Sequence, residues 1–165
     1  MTQDFEANAE GVDFALVVYR EEGVWQLQEL APTTAASVDS LATELRRYPG
    51  DGGSLGLVSV DEDFFLLVRV QGARVKVLLS DVTAATDWPV ARSAVDFLEL
   101  PLPEDEDEQL PAGDLGLVAD LGMSAMDMGA LLDDYDLYPD EMLGDIAARL
   151  GFGRLYDEVV GVTTA

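Results

Sequence analysis

The chain contains no histidine, no cysteine and a single lysine, Lys76, among its 165 residues. It therefore lacks the commonest general base, the commonest nucleophile–base pairs and the usual zinc ligands. No catalytic arrangement stands out among the residue types that remain. The composition predicts a protein that is not an enzyme and that holds no metal or cofactor. The absence of cysteine also fits a reducing compartment.

Basic residues are scarce: nine of them face 33 acidic residues, which gives a formal net charge of −24. Because binding to a phosphate backbone needs arginine and lysine contacts, this balance argues against a nucleic-acid partner. It favours instead a protein partner with a basic surface. The charge is also uneven, since residues 1–100 carry seventeen acidic and seven basic side chains, and residues 101–165 carry sixteen and two.

Long apolar runs are also missing. No stretch approaches the roughly 18 apolar residues of a transmembrane helix, and the acidic N-terminus does not resemble a signal peptide. Hydrophobic residues still make up 48% of the chain, so its acidity does not prevent it from forming a core. We expect a cytoplasmic protein with no membrane partner.

Five runs of apolar residues predict β-strands, and two amphipathic runs predict helices. The first run is nearly continuously apolar, which is typical of a strand buried on both faces. The element order is β-β-α-β-β-β-α, an α+β fold with a five-stranded antiparallel sheet, in an order similar to the profilin-like or roadblock-like architecture. The expected strands are 13–19, 24–30, 55–60, 64–70 and 74–80, and the helices begin after Ser37 and at Pro89.

The composition changes abruptly after residue 100. Two prolines and then five consecutive acidic residues are typical of a solvated linker. Beyond it the pattern is helical, with one helix expected from Pro139 to a stop at Gly151 and a shorter one between Asp114 and Gly122. We therefore expect a sheet domain at 12–100, an acidic linker at 101–113 and a small helical module at 114–161.

Two groups of acidic residues are candidates for contact with a basic partner. The linker group could instead be only a solubilising segment. The second group, near the start of the Pro139 helix, superficially resembles a calcium loop, but an EF-hand register starting at Asp134 places Pro139 where glycine is required. A plain acidic loop is therefore favoured over a metal site. The candidate residues are Glu104, Asp105, Glu106, Asp107, Glu108, Asp133, Asp134, Asp136, Asp140 and Glu141.

Two smaller groups are given structural interpretations. Arg69, Arg74 and Lys76 form the only local concentration of cations, and we expect them to balance nearby acidic residues rather than to bind phosphate. Asp61 and Asp63 lie in an expected hairpin turn, where exposed carboxylates without partners are poorly suited to acid–base catalysis.

Several segments carry a resemblance to a known family. The stretches 66–81, 84–89, 111–122, 129–143 and 148–153 resemble the tRNA adenosine deaminase-associated proteins of high-GC Gram-positive (actinobacterial) genomes, and the resemblance covers about residues 12–160. It implies association with the enzyme that makes inosine at the tRNA wobble position, and it supplies no catalytic residues. The chain is not that deaminase, because the zinc site of such enzymes needs histidine or cysteine ligands.

The resemblance and the charge together predict a non-enzymatic accessory or regulatory protein. It would bind a tRNA-specific adenosine deaminase through an acidic surface. The alternatives are a roadblock-like scaffold that forms a homodimer, and an acidic mimic of nucleic acid that occupies another basic protein.

Overall fold

The computed structural model describes residues 11–48, 50, 52–101, 110–134 and 136–161. At its centre is one sheet in which every neighbouring pair of strands is antiparallel. The strand order is β2-β1-β3-β4-β5-β6. The strands are β1 Val12–Glu21, β2 Val24–Glu29, β3 Ser54–Val60, β4 Phe64–Gln71, β5 Arg74–Leu79 and β6 Ala112–Gly113.

The helices at Ser37, Pro89 and Pro139 begin where the sequence predicts, whereas in place of the helix expected between Asp114 and Gly122 there is only the 3₁₀ turn Ala119–Leu121. Ser37 caps the first helix, since its side chain accepts a hydrogen bond from the Ser40 backbone N–H at 3.0 Å. Gly151 ends the longest helix in the left-handed conformation, with φ of 107°. The α-helices of the described chain are α1 Val38–Leu45, α2 Pro89–Phe97, α3 Ala125–Leu132, α4 Pro139–Leu150 and α5 Gly153–Tyr156.

The antiparallel α+β arrangement is confirmed, but the expected number of five strands is wrong. A sixth strand, Ala112–Gly113, pairs with the end of β5 and lies within the segment expected as a linker. Two residues are too few to show any periodicity, so sequence pattern does not reveal this strand. Gly113 has a φ of 113°, and a Cβ there would lie 2.1 Å from the carbonyl oxygen of Val77. The close pairing of β6 with β5 therefore requires glycine at this position.

Helices cover both faces of the sheet. Because side chains alternate along a strand, Val17 of β1 and Leu66 of β4 lie on the first face, in a core shared with α1 and α2. Leu16 and Phe65 lie on the second face, in a core shared with α3, α4 and α5. The first and second faces are named in this way from here on. As predicted for its apolar run, β1 is buried continuously from Ala15 to Tyr19.

Contacts of Trp25 join β2 to the end of α4. Its indole N–H donates a hydrogen bond to the Leu150 carbonyl at 3.1 Å. Its ring lies 5.0 Å from the ring of Phe152, centroid to centroid. The guanidinium of Arg20 stacks over the same indole at 4.6 Å, within the range of a cation–π interaction. The C-terminal helices are thus fastened to the edge of the sheet as well as packed on its second face.

Arg69 of β4 makes a second set of contacts between the sheet and the C-terminal part of the chain. It is 2% exposed on the second face, and its guanidinium donates hydrogen bonds to the Leu117 carbonyl at 2.8 Å and the Gly52 carbonyl at 3.0 Å. It also forms a two-pronged ion pair with Asp120, whose side chain is 60% exposed. Hydrogen bonding from Arg69 lowers the pKa of Asp120. As the sequence suggested, this cation balances an acidic residue, and Lys76 does the same 3.9 Å from Asp114.

The Arg69–Asp120 pair yields a stability prediction. Asp120→Ala should lower the free energy of unfolding by about 2–3 kcal/mol, because it leaves a buried guanidinium without its counter-charge. Adding Arg69→Met to that variant should recover about 1 kcal/mol, because it removes the unpaired buried charge, although the carbonyls of Leu117 and Gly52 lose a donor. Urea denaturation of the parent, the two single variants and the double variant measures these differences. Two losses that simply add would contradict this account of the pair.

Candidate protein-docking surface

The second group of predicted site residues lies where α3 is joined to α4. Asp133, Asp134 and Asp136 are exposed in this connection, and Asp134 accepts a hydrogen bond from the Asp136 backbone N–H at 3.2 Å. Asp140 and Glu141 occupy the first turn of α4, where the positive end of the helix dipole favours carboxylates. The linker group, residues 104–108, lies outside the described residues.

The β3–β4 turn brings further acidic residues to the same end of the molecule. Its three residues are Asp61, Glu62 and Asp63, and the first two have positive φ angles of 51° and 54°. Such angles favour glycine and asparagine, so the acidic side chains are held here in an unfavourable backbone conformation. The turn is anchored by Asp13, whose carboxylate accepts a hydrogen bond from the Glu62 backbone N–H at 3.0 Å.

A cavity of about 210 Å³ separates these two acidic segments. We call it the docking cavity. One wall comes from the β3–β4 turn and the residues that follow β5, and the other comes from the end of α3 and the start of α4. Its lining residues are Glu62, Asp63, Ser80 and Asp81 on the first wall and Leu132, Leu137, Tyr138, Pro139 and Met142 on the second. We call the cavity rim, together with the acidic residues beside it, the acidic end. These acidic residues are Asp61, Glu62, Asp63, Asp81, Asp133, Asp134 and Asp136.

Two carboxylates of the docking cavity are held close to like charges. Partial desolvation raises the pKa of Asp63, and the charges of Asp81, Asp61 and Asp87 add to the increase, although a hydrogen bond from Trp88 opposes it. Asp63 is exposed overall, and the partial desolvation that raises its pKa concerns its carboxyl group. Asp81 is only 7% exposed. Among the described residues, no lysine or arginine forms an ion pair with Asp63 or Asp81.

Most of the basic residues lie at the other end of the strands. The end of β1, the start of β3, the end of β4 and the start of β5 are neighbours there. The residues after α1 reach the same place, because the Leu45 carbonyl accepts a hydrogen bond from Ser54 at 2.8 Å. The cations that this topology gathers are Arg20, Arg46, Arg47, Arg69, Arg74 and Lys76, six of the nine in the chain. The fold thus gathers most of the cations at the end of the strands opposite the docking cavity.

The acidic end has little of what metal binding or acid–base catalysis requires. Within the described ranges no three acidic side chains are placed so that they could share a metal ion. A buried tyrosine, Tyr156, lies beneath α4, where its hydroxyl donates a hydrogen bond to the Asp140 carbonyl at 2.6 Å. Burial raises the pKa of Tyr156 well above its ordinary value, so this phenol remains protonated and serves to pack the helix.

Sequence reasoning placed only part of this site. It singled out the acids of the α3–α4 connection, and the structure adds Glu62, Asp63 and Asp81 across the cavity from them. As isolated carboxylates, Asp61 and Asp63 of the turn have no sequence signal for catalysis, and the sequence does not indicate that they belong to a binding surface. The high density of aspartate and glutamate in both loops was the available signal, but nothing local indicates that the two loops meet.

Comparison with known proteins identifies relatives. A family model described as "Rv3753c-like tRNA adenosine deaminase-associated protein" matches residues 13–153. The chain is similar to Protein Rv3753c of Mycobacterium tuberculosis, with 39% identity over 150 residues, covering 89% of this chain and 87% of that protein. No solved structure matches the chain, so the profilin-like or roadblock-like order stays a prediction. Within the described part of the chain, no helix is both long and apolar enough to cross a membrane.

The raised pKa of Asp63 yields a prediction with a defined sign. A carboxyl whose pKa is higher in the folded state than its ordinary value of 3.8 destabilises the fold at neutral pH, and this effect disappears as the pH falls below that value. Asp63→Asn should therefore raise the free energy of unfolding at pH 7, by less than about 1 kcal/mol because solvent screens the site. At pH 3 the variant should match the parent.

Chemical denaturation at the two pH values measures this effect. Glu21→Gln, in the β1–β2 region at the opposite end of the strands, is the matched control for removing one negative charge from a chain of net charge −24. A gain at pH 7 no larger than that of the control would show that general charge repulsion, and not the local environment of Asp63, is responsible.

Proposed function

Because the chain belongs to the Rv3753c-like tRNA adenosine deaminase-associated protein family, we propose that it is a non-enzymatic accessory or regulatory protein that binds a tRNA-specific adenosine deaminase. We assign the contact to the acidic end. The observation that carries this assignment is the convergence of the β3–β4 turn, Asp81 and the α3–α4 connection on one cavity. The cytoplasmic location expected from the sequence is part of the proposal.

Electrostatics gives the proposal its physical basis. An enzyme that acts on tRNA needs cationic side chains to contact phosphates. A surface of that kind attracts an acidic protein, both by steering the encounter and by selecting the partner. The end that holds the six cations offers less net negative charge, so the acidic end should lead the approach. The linker acids at 104–108 would add to the same attraction.

The non-enzymatic part of the proposal rests on residue chemistry. A zinc deaminase binds its metal through histidine and cysteine and uses a glutamate for proton transfer. The chain has neither ligand type anywhere in its sequence. In the accessory role, its carboxylates would act as fixed negative charges that contact the partner.

A second copy of the chain is the alternative partner. The strand β2 lies at one edge of the sheet, and its residues from Val24 to Gln28 carry no charge. Uncharged edge strands are open to pairing with another strand, and natural proteins usually protect them with charged residues. This observation favours a dimer joined through β2. An acidic mimic of nucleic acid bound to some other basic protein would use the acidic end in the same way as the main proposal.

Co-elution with the deaminase encoded in the same genome tests the main proposal. At about 50 mM salt the two proteins should elute together from a size-exclusion column, and at about 500 mM they should separate because screening weakens electrostatic contact. Asp133→Asn with Asp134→Asn should weaken binding roughly tenfold. Glu21→Gln with Glu22→Gln removes the same charge at the other end of the strands and should change binding less than about twofold.

Three results would contradict the proposal in different ways. Separate elution at low salt would exclude a stable complex. Binding that is insensitive to salt would point to an apolar contact instead of the acidic end. Equal weakening by both variant pairs would assign the attraction to net charge alone.

Sedimentation of the isolated chain tests the alternative. A dimer paired through β2 should dissociate when Gln26→Lys places a charge on the edge strand. The partner-binding variants at the acidic end should leave such a dimer intact. A chain that remains monomeric at high protein concentration would exclude pairing through β2.

A further inference from the structure

We propose that the docking cavity receives one arginine or lysine side chain from the basic partner. This inference rests on the proposed function and deepens it, because it specifies how a basic surface would be recognised. The cavity lies at the centre of the acidic end, where the two acidic segments face each other. Three features support this ligand: the volume of the cavity, the different chemistry of its two walls, and the hydrogen bonding of the Asp81 carboxylate.

The size of the cavity suits a single side chain. Its volume is about 210 Å³. Sites for cofactors and small organic ligands are usually larger, roughly 300–1,000 Å³. A water molecule occupies about 30 Å³ in the liquid, so the space is too large for one or two structural waters. One long amphipathic side chain has a size between that of a water molecule and that of a small organic ligand.

The two walls suit the two parts of such a side chain. Leu132, Leu137 and Met142 on the helical wall can contact an apolar stem. Asp63 and Asp81 on the opposite wall can accept hydrogen bonds from a cationic head. Lysine and arginine bind in this manner elsewhere, with the stem along apolar surface and the charge among polar groups.

The hydrogen bonding of Asp81 is the third feature that supports this ligand. One of its carboxylate oxygens, Oδ1, accepts hydrogen bonds from Thr83, from the backbone N–H at 2.9 Å and from the hydroxyl at 2.6 Å. No residue in the described ranges donates to its other oxygen, although the residue is 7% exposed and lines the cavity. This oxygen can accept a hydrogen bond from a guanidinium or ammonium group, each of which supplies several donors.

A side chain fits these features better than a metal ion does. As noted above, the described residues contain no group of three metal-binding side chains. Tyr138 lies at the mouth of the cavity with its side chain 57% exposed. An aromatic ring at that position can make a cation–π contact, which favours arginine in particular.

Titration of the full-length, isotope-labelled chain with acetyl-Gly-Arg-Gly-amide tests this inference by NMR. The peptide should cause saturable shifts in the backbone signals of Leu132, Leu137 and Met142. The same peptide with citrulline has nearly the same shape and no charge, so it should bind at least about tenfold more weakly. Shifts confined to other parts of the protein, or equal binding of both peptides, would overturn the inference.

Two matched variants separate the cavity from general acidity. Glu62→Gln with Asp63→Asn removes two charges from its wall and should weaken binding of the arginine peptide roughly tenfold. Glu21→Gln with Asp39→Asn removes two exposed charges outside the acidic end, and it should change binding less than about twofold. Equal weakening by both would overturn the inference.

The outcome is distinguishable from failure of the proposed function, because the peptide titration contains no deaminase. Co-elution with the deaminase in the absence of peptide binding at the cavity would leave the proposed function standing and refute the cavity's role. Peptide binding at the cavity without co-elution would support the cavity as a receptor for cationic side chains and assign it to another basic protein.

Discussion

Burial of both faces of the central sheet is the constraint on which the rest of the structure depends. Every residue of β3 is buried, and in β4 only Gln71 is partly exposed. Such a sheet cannot leave either face in water, because each apolar side chain exposed would forfeit about 1.5–3 kcal/mol. The helices α1 and α2 cover the first face. The C-terminal helices must therefore cover the second, and this requirement places the α3–α4 connection beside the β3–β4 turn.

The same packing organises the charge. A chain with 33 acidic residues repels itself, and because six of its nine cations lie at one end of the strands, they offset little of the repulsion at the acidic end. Arg69 is the exception to surface placement, since it is buried where the sheet meets the segment before α3. Its position at that boundary joins the two halves of the chain through a buried charge pair, beside the apolar contacts of the second face.

Much of the fold could be predicted from the sequence because its signals are local. Apolar runs marked the five long strands, Ser37 and Gly151 marked helix ends, and Pro89 and Pro139 marked helix starts. The family resemblance was also confirmed. Where the signal is not local, prediction was incomplete. The short strand β6 depends on one backbone pairing, and the expected helix between residues 114 and 122 is only a turn followed by a single 3₁₀ turn at Ala119–Leu121.

The candidate site shows the same division. The acidic residues of the α3–α4 connection stand out in the sequence. The sequence also shows that their spacing does not match that of a calcium-binding loop. Their proximity to Glu62, Asp63 and Asp81 could not be predicted, because it depends on contacts between segments about seventy residues apart. The domain boundaries expected at residues 100 and 114 remain predictions, although the helices beyond them share one apolar core with the sheet.

The two walls of the docking cavity come from segments that are synthesised at different times. The turn at Asp63 is synthesised early, and Met142 of α4 follows about eighty residues later. A chain synthesised only as far as the turn at Asp63 therefore lacks the cavity, and a partner that needs it selects molecules in which α4 has been made and has packed on the sheet. Linkage extends this effect after synthesis: a ligand at one hundred times its Kd would add about 2.7 kcal/mol to the stability of the state in which the C-terminal helices are docked.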